Sequence, residues 1–403
     1  MNKKISIGLT VALIFLSITA TFAITMTVSQ KIYNGLVSRL SNRSELYDGY
    51  SAIDDYVRTN FYGDFDDDAL FSHTAQGYMK GLDDPGSFYM TAKEYIEYTR
   101  RMAGEGGIGV DVSYDAAADK MVITQVYPDS SAESAELKTG DVIVALDNQK
   151  VDASNAYAVM DSLQVGRRFN TVSLTYERGG SRKTVSVVRG LARTVSSSVL
   201  GKTGYVRITG FYANTAQQFA QEIASLNDQG VTALIIDVRG CDEGLVENAS
   251  ATVDLLLPSG AETTGAIASA IGKDDKVLMN FTSDTQCITF PKGIVVLTDG
   301  ATSGAAELLA AQLHDFSKCT LLGTETAGEL TLQKVFEMEN GSAISLTVAR
   351  VRTYNGDFYS DGKGLKPDEA VELASRVEQS HSLENVGDDN QLAAALARLS
   401  SDD

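Results

Sequence analysis

Two short segments in the last third of the chain carry residue types and spacings that could support catalysis. Asp299-Gly-Ala-Thr-Ser-Gly-Ala-Ala-Glu307 precedes a predicted helix, and Gly328-Glu-Leu-Thr-Leu-Gln333 is typical of the approach to a strand. Counting from Gly304, Glu329 follows 25 residues later and Gln333 four residues after that. Serine-type hydrolysis needs a hydroxyl at the start of a helix and a base to take its proton. Gly304 has no hydroxyl, and Glu329 offers a carboxylate that cannot do the work of a neutral lysine amine.

Neighbouring residues offer only displaced substitutes for these two groups. Ser303 is adjacent to Gly304, but one residue at a helix start rotates a side chain by about 100°, since a turn takes 3.6 residues. We expect Ser303 to cap the helix that begins near Ala305. In a strand, Glu329, Thr331 and Gln333 share one face and Lys334 points to the other, so we expect Lys334 to be a solvated charge.

Together the two segments resemble the core of the carboxyl-terminal processing serine peptidases of family S41. In that family the middle serine of S-A-S-A-S-E is the nucleophile. A lysine 25 residues later, in G-K-G-x-V-Q, is the base, and a glutamine follows four residues on. Aligned on Glu307, the resemblance places Gly304 at the nucleophile position and Glu329 at the base position, and it retains Gln333. It therefore implies a peptidase scaffold with both members of its catalytic dyad replaced.

The loop that would hold the oxyanion also departs from the family pattern. The family's D-x-R-x-N-P-G-G is replaced by Asp237-Val-Arg-Gly-Cys-Asp-Glu-Gly244, and Glu243 stands where the first glycine of the pair donates its N–H. The resemblance makes Glu243 and Gly244 the oxyanion-loop residues. Added carboxylates oppose a developing oxyanion, and losing one donor typically costs about 10²–10³ in rate. A nucleophilic Cys241 would need a histidine, and His314 is merely in the same domain.

A second resemblance precedes the peptidase-like core. Leu137-Lys-Thr-Gly-Asp-Val-Ile-Val-Ala-Leu146 resembles the core of PDZ domains, and the segment from Gly77 to Met90 resembles the family's signature ahead of that domain. Gly106-Gly-Ile-Gly-Val110 resembles the loop that receives a peptide's terminal carboxylate through backbone N–H groups. The implied peptide-binding residues are Gly107, Ile108, Gly109 and Val110. The implied partners are the C-termini of proteins or peptides.

Periodicity along the chain predicts a multidomain α/β protein. Apolar residues recur at helical spacing from Ser44, alternate as in strands after Gly106, and form continuous runs such as Ala233-Leu-Ile-Ile-Asp-Val238 later. The predicted order is an anchor (1–30), a helical region (44–101), a β-rich PDZ domain (106–190), a crotonase-like α/β peptidase-type core (194–375) and a polar tail with a short helix (376–403).

Composition excludes several classes of function. A formal charge of −19 argues against nucleic-acid binding, which needs clustered Lys and Arg. The three cysteines are Cys241, Cys287 and Cys319, too widely spaced for a zinc site or a disulfide framework, although one disulfide stays possible. With the histidines scattered, we expect no metal and no cofactor. The sequence leaves the oligomeric state open, a homodimer included.

The N-terminus carries a targeting segment. Lys3 and Lys4 precede Ile5 to Gln30, 26 residues without a charge, which is long enough to span a bilayer of about 30 Å. A cleaved signal peptide is the alternative, with a weak site at Thr21-Phe-Ala23. We expect a single-pass, membrane-anchored, extracytoplasmic homologue of the processing peptidases. Without its dyad it would be a catalytically inactive scaffold or regulator that binds protein C-termini; the alternative is an active endopeptidase with a displaced dyad.

We predict that the chain stays membrane-tethered with everything from Lys31 onward outside the cytoplasm, because an uncharged run behind two lysines favours an inside N-terminus. Cell fractionation combined with external protease shaving checks this. Recovery in the cytoplasm, or of a secreted form that starts near Ile24, would contradict it.

Overall fold

The structure is a computed structural model that describes residues 7–127, 130–164, 166, 168–258, 266–283, 287–374 and 389–400. Lys3, Lys4 and His381 lie outside these residues, as does most of the predicted polar tail, 376–388. The chain divides into two units, residues 1–71 and 72–403.

One long helix makes up most of the first unit. Helix α1 spans Ile7–Asn60, so the run predicted as an anchor and the helical pattern after Ser44 belong to one continuous element. In the described part of the chain, no helix has both the length and the hydropathy needed to cross a bilayer. The anchor therefore stays a prediction.

Periodicity predicted a helical region ahead of the β-rich domain, but the structure also has a strand there. It comprises α2 (Asp67–Lys80), β1 (Phe88–Met90) and α3 (Ala92–Met102). Tyr89 and Met90 are buried, and β1 pairs antiparallel with residues 343–345 near the other end of the chain. The helical prediction was wrong at β1 because this long-range pairing decides the structure of three residues whose local pattern is ambiguous.

The β-rich domain is one antiparallel sheet with a helix against it. Its elements are β2 (Val110–Asp115), β3 (Lys120–Val126), α4 (Ser131–Ser134), β4 (Val142–Leu146), β5 (Gln149–Lys150), α5 (Ala156–Gln164), β6 (Thr171–Arg178) and β7 (Ser181–Val188). The strand order is β2-β3-β4-β6-β7, with β5 beside β4, so β2 lies at an edge. Its core gathers alternate strand residues such as Met121 and Ile123 against Leu163 of α5. An edge strand beside a helix leaves one side of β2 open to a further strand.

The remaining elements form the α/β core. They are β8 (Val195–Leu200), β9 (Thr203–Ile208), α6 (Thr215–Asp228), β10 (Ala233–Asp237), α7 (Val246–Val253), β11 (Ala268–Gly272), β12 (Val277–Phe281), β13 (Ile294–Thr298), α8 (Ala305–Asp315), β14 (Cys319–Gly323), β15 (Thr331–Glu337), β16 (Ala343–Thr353), β17 (Glu369–Ala370) and α9 (Asn390–Ser400), with 3₁₀ turns at Asp254–Leu256 and Lys273–Asp275.

A mostly parallel sheet, β17-β14-β13-β10-β9-β8, runs through this core. All five residues of β10 are buried, as its continuous apolar run predicted, because the sheet is covered on both faces. Phe219, Ile223 and Leu226 of α6 belong to the cluster on one face. On the other face the cluster includes Leu392, Ala395 and Leu399 of α9, spaced by three and four residues as on one side of a helix.

A second, antiparallel sheet has the order β1-β16-β11-β12, and β15 also pairs with β16. It joins the chain ahead of the β-rich domain to the core through β1. The candidate site residues lie in three turns next to these sheets. Two of the turns follow β10 and β13, and the third precedes β15.

A buried arginine ties the end of β10 to α9. Arg239 donates to Asp237 from Nε (2.9 Å) and Nη2 (2.6 Å), to Asp389 from Nη2 (2.7 Å) and to Gln391 from Nη1 (2.8 Å). Burial alone would raise the pKa of Asp237, but the hydrogen bonds and charge of Arg239, together with Arg207, hold that pKa well below its usual range. The helix that covers one face of the sheet is thus fixed to the loop after β10.

We predict that Arg239→Met lowers the free energy of unfolding by about 3–5 kcal/mol, because it leaves buried carboxylates without a cation. The matched control is Arg398→Met on α9, whose partner Glu369 is exposed and whose loss should cost at most about 1 kcal/mol. Urea denaturation of both variants measures the difference. Equal losses would show that the Arg239 network does not stabilise the core.

Candidate functional site

The turn between β13 and α8 is fastened to the loop after β10. Thr302 Oγ1 accepts the N–H of Asp299 (3.0 Å) and donates to the carbonyl of Val238 (3.0 Å). Asp299 in turn accepts the N–H of Gly240 at 2.9 Å, and the N–H of Ser303 donates to the Cys241 carbonyl at 3.1 Å. The nucleophile position and the predicted oxyanion loop are therefore held side by side, as the resemblance requires.

Gly304 keeps the backbone of a nucleophile turn without a side chain. Its φ is 51° and its ψ is −106°, a region that L-residues enter only with strain. A Cβ at this position would find its nearest neighbour, the Glu329 carbonyl oxygen, 3.8 Å away, so space is available. The prediction that Ser303 caps α8 is wrong: Gly304 is the N-cap residue, and its N–H donates to the Glu307 carboxylate at 2.9 Å.

Glu307 is a buried carboxylate that joins two distant segments. Besides Gly304, it accepts the N–H groups of Gly328 (2.7 Å) and Glu329 (2.8 Å) and the hydroxyl of Thr326 (2.5 Å). Burial raises the pKa of Glu307, while these four hydrogen bonds favour its charged form and limit the shift. The carboxylate thereby sets the distance between the nucleophile and base positions.

Glu329 and Gln333 lie where their spacing placed them, along the same cleft. The Glu329 side chain is exposed and lines the cleft together with Thr331 and Gln333. Gln333 Nε2 donates to Thr331 Oγ1 at 2.7 Å, which confirms that these two side chains share a face. Lys334 is exposed, lies over the Phe336 ring at 5.4 Å and does not line the cleft.

The loop after β10 requires glycine at position 244 and carries a carboxylate at position 243. Gly244 has a φ of 120°, and a Cβ there would meet the Phe211 backbone at 2.5 Å, so only glycine fits. The carbonyl of Glu243 accepts the N–H of Phe211 at 3.0 Å, which ties the loop to the segment after β9. The Glu243 carboxylate accepts Arg101 Nη1 at 2.8 Å and the Tyr212 hydroxyl, so its charge opposes an oxyanion less than the sequence suggested.

The structure does not support a cysteine nucleophile. Cys241 is buried, and burial raises the pKa of its thiol to about 12, so the thiol stays protonated at neutral pH. His314 bonds to Asp368 at 3.2 Å and does not line the cleft. All three cysteines are free, and no group of His, Cys, Asp and Glu within the described ranges is arranged to hold a metal ion.

These segments line one cleft of about 920 Å³. Its other walls come from the turn 82–88, from α3 and from the loop after β16. Among the described lining residues there is neither Lys nor His, and the two cations are Arg101 and Arg350. The carboxylates that line it are Asp83, Asp84, Glu94, Glu97, Asp242, Glu243, Glu329 and Asp361. The described lining is therefore acidic and offers neither an amine nor an imidazole to activate a hydroxyl.

The predicted carboxylate loop leads into β2 of the β-rich domain. Ile108 and Val110 are buried, and Gly109 has a φ of 88° that favours glycine. The N–H of Ile108 donates to the carbonyl of Leu163 in α5 at 2.9 Å. A bound carboxylate would therefore displace that bond or use neighbouring N–H groups of the loop.

Sequence reasoning missed several residues of the site. Glu307 served only to align the motif, although a carboxylate three residues after an N-cap position is a recognisable capping signal. Arg101 and Tyr212 hold the Glu243 carboxylate from 142 and 31 residues away in sequence, and no local pattern indicates such contacts.

The fold and these motifs define a peptidase-type core preceded by a PDZ domain. Residues 202–371 match peptidase family S41, and residues 106–188 match the PDZ domain. The core thus matches peptidase family S41 and the β-rich domain matches a PDZ domain, as the sequence predicted.

The chain is similar to proteins named as processing or CtpA-like proteases over most of its length. It is 28% identical to the carboxy-terminal processing protease CtpA of Bacillus subtilis, with 81% of this chain and 69% of that protein covered. It is 25% identical to a probable CtpA-like serine protease of Staphylococcus epidermidis, covering 78% of this chain and 63% of that protein. The matches thus span about two thirds of these relatives.

A solved structure supports the fold alone. A candidate S41 protease from Bacteroides fragilis superposes with a TM-score of 0.52 at 20% identity, and the match covers 80% of this chain and 88% of that one.

Proposed function

We propose that this protein is a non-catalytic member of family S41 that binds protein C-termini as a scaffold or regulator. The observation that carries the proposal is the cleft itself, in which Gly304 and Glu329 occupy the dyad positions. A glycine offers no nucleophile, and a carboxylate cannot replace the neutral amine that would activate one. The relatives named as processing proteases suggest the class of ligand but not a shared activity.

The loop after β10 supports the same proposal. An oxyanion hole works through preorganised donors aimed at the developing charge. Here Glu243 stands where the family pattern has a glycine donor, and its carboxylate lies at the cleft wall. Recovery of activity would therefore need more than a restored dyad.

Ser303 is the one residue that favours the alternative of an active endopeptidase with a displaced dyad. Its side chain is 8% exposed and lines the cleft directly before Gly304. This alternative lacks an amine to take the proton of the Ser303 hydroxyl, since Lys334 lies outside the cleft. The alternative is tested by the same assay as the proposal.

The proposal includes a tether at the membrane, which the uncharged run from Ile5 to Gln30 supports. A tethered binder would meet C-termini of extracytoplasmic proteins through its PDZ domain. That role requires no turnover and no cofactor.

We predict that the purified protein neither hydrolyses an unstructured, apolar-tailed substrate nor reacts with a fluorophosphonate probe. Gly304→Ser alone should stay inactive, because the new hydroxyl has no amine to take its proton and residues of a dyad act as a unit. Gly304→Ser combined with Glu329→Lys should recover weak activity, reduced by about 10²–10³ through the altered oxyanion loop. Mass spectrometry of the substrate measures turnover.

Two variants control for the displaced dyad. Ser303→Ala and Lys334→Ala should leave the absence of turnover unchanged. Proteolysis by the wild type that disappears in either variant would overturn the proposal and identify the displaced dyad.

We predict that the PDZ domain binds extended peptides with free apolar C-termini and that amidation of the terminus abolishes binding, because β2 is an edge strand and the loop receives the carboxylate. Gly109→Ala should also abolish binding, since a Cβ there would lie 2.3 Å from Ser130 Cβ. Calorimetry measures both effects.

The matched control for that loop is Gly180→Ala in the β6–β7 hairpin. Gly180 has a φ of 79°, so the backbone strain is similar, but no atom lies within 4 Å of its Cβ. Equal binding of free and amidated peptides would show that the carboxylate-loop assignment is wrong.

A further inference from the structure

We propose that the cleft of the peptidase-type core is itself a binding site, and that its ligand is an extended segment of a partner protein carrying Lys or Arg side chains. This site is separate from the PDZ loop. The inference rests on the proposed absence of peptidase chemistry, because a segment held there has to persist uncleaved.

The charge of the cleft favours a cationic ligand. Eight carboxylates line it against two arginines. Arg101 is paired with Glu243 at 2.8 Å, and Arg350 lies 3.8 Å from an aspartate. Within the described part of the chain, no cation lies within 4.0 Å of Asp83, Asp242 or Glu329. Focused negative potential in a concave site attracts cations and strengthens their binding.

The two substituted positions are complementary to such a side chain. Gly304 has no side chain, and the nearest atom to a Cβ there is 3.8 Å away, so space remains beside it. Glu329 presents an exposed carboxylate to the same cleft. Where the family pattern supplies a hydroxyl and an amine from the protein, this chain offers room and a negative charge. A Lys or Arg of the ligand would supply the amine or guanidinium that the protein lacks.

Unsatisfied hydroxyls in the cleft indicate a polar ligand as well as a charged one. Ser303 is more than nine-tenths buried and lines the cleft, and its hydroxyl makes no hydrogen bond with any described residue. Thr347 Oγ1, also at the cleft, is buried without a partner there. Buried polar groups are normally paired, so these hydroxyls are suited to the backbone amides of a bound chain.

The spacing of the carboxylates favours a peptide over an ion. They are distributed over the turn 82–88, α3, the loop after β10 and the approach to β15. No three of the described acidic, His or Cys groups are placed to coordinate a metal ion. Carboxylates that are spread along a cleft match positive charges that are spread along an extended chain.

The test uses the full-length protein and a fluorescent peptide with several Lys residues and an amidated C-terminus, which removes the carboxylate that the PDZ loop would bind. Its partner peptide has Gln in place of each Lys. Fluorescence anisotropy should show tighter binding of the Lys peptide, weakened by salt. Glu329→Gln should raise its Kd about fivefold, as expected for loss of one ion pair at a cleft wall.

Two further variants make the result specific to the cleft. Asp242→Asn, at an exposed residue of the loop after β10 that lines the cleft, should also raise the Kd. Glu337→Gln, on β15 but outside the cleft, should leave it unchanged. Equal binding of the Lys and Gln peptides, or equal responses of Glu329→Gln and Glu337→Gln, would overturn the proposal.

The same samples separate this inference from the proposed function. Mass spectrometry after the titration shows whether the peptide is intact. Cleavage would overturn the non-catalytic assignment and with it the persistent ligand proposed here. An intact peptide that binds independently of Glu329 would overturn the cleft site alone.

Discussion

The geometry of the cleft depends on the buried carboxylate of Glu307. It binds the backbone before α8 and the backbone before β15 at once, through N–H groups separated by more than twenty residues in sequence. Because most of its donors are main-chain groups, these bonds are independent of the side chains at positions 304 and 329. The cleft can therefore keep its form whichever side chains stand at these two positions.

The surrounding fold supplies a rigid frame for that carboxylate. The loops after β10 and β13 meet at the carboxyl ends of parallel strands, where α/β sheets place their sites. Arg239 fixes one loop to α9, and the bonds from Thr302 to Val238 and from Gly240 to Asp299 fix the other loop to the first. The result is a concave surface whose shape is set by buried interactions and whose chemistry is set by a few exposed side chains.

Much of this could be predicted from local sequence. The apolar run of β10, the stripe of α6 and the 25-residue spacing between Gly304 and Glu329 all indicated the correct elements. What failed depended on distant partners. The strand at Phe88–Met90 exists because β16 pairs with it, and Glu243 is partly neutralised because Arg101 reaches it from α3. Ser303 does not cap α8, because the helix begins one residue later, with Gly304 as its N-cap residue.

The positive φ of Gly304 has a consequence for the history of such a chain. A side-chain nucleophile at this turn has to tolerate a backbone that favours glycine, and active enzymes retain that strain because function requires it. Once catalysis is no longer selected, glycine relieves the strain at no functional cost. The substitution would then increase the stability of the folded chain. A change from enzyme to binding protein would not be opposed by a loss of folding stability at this position.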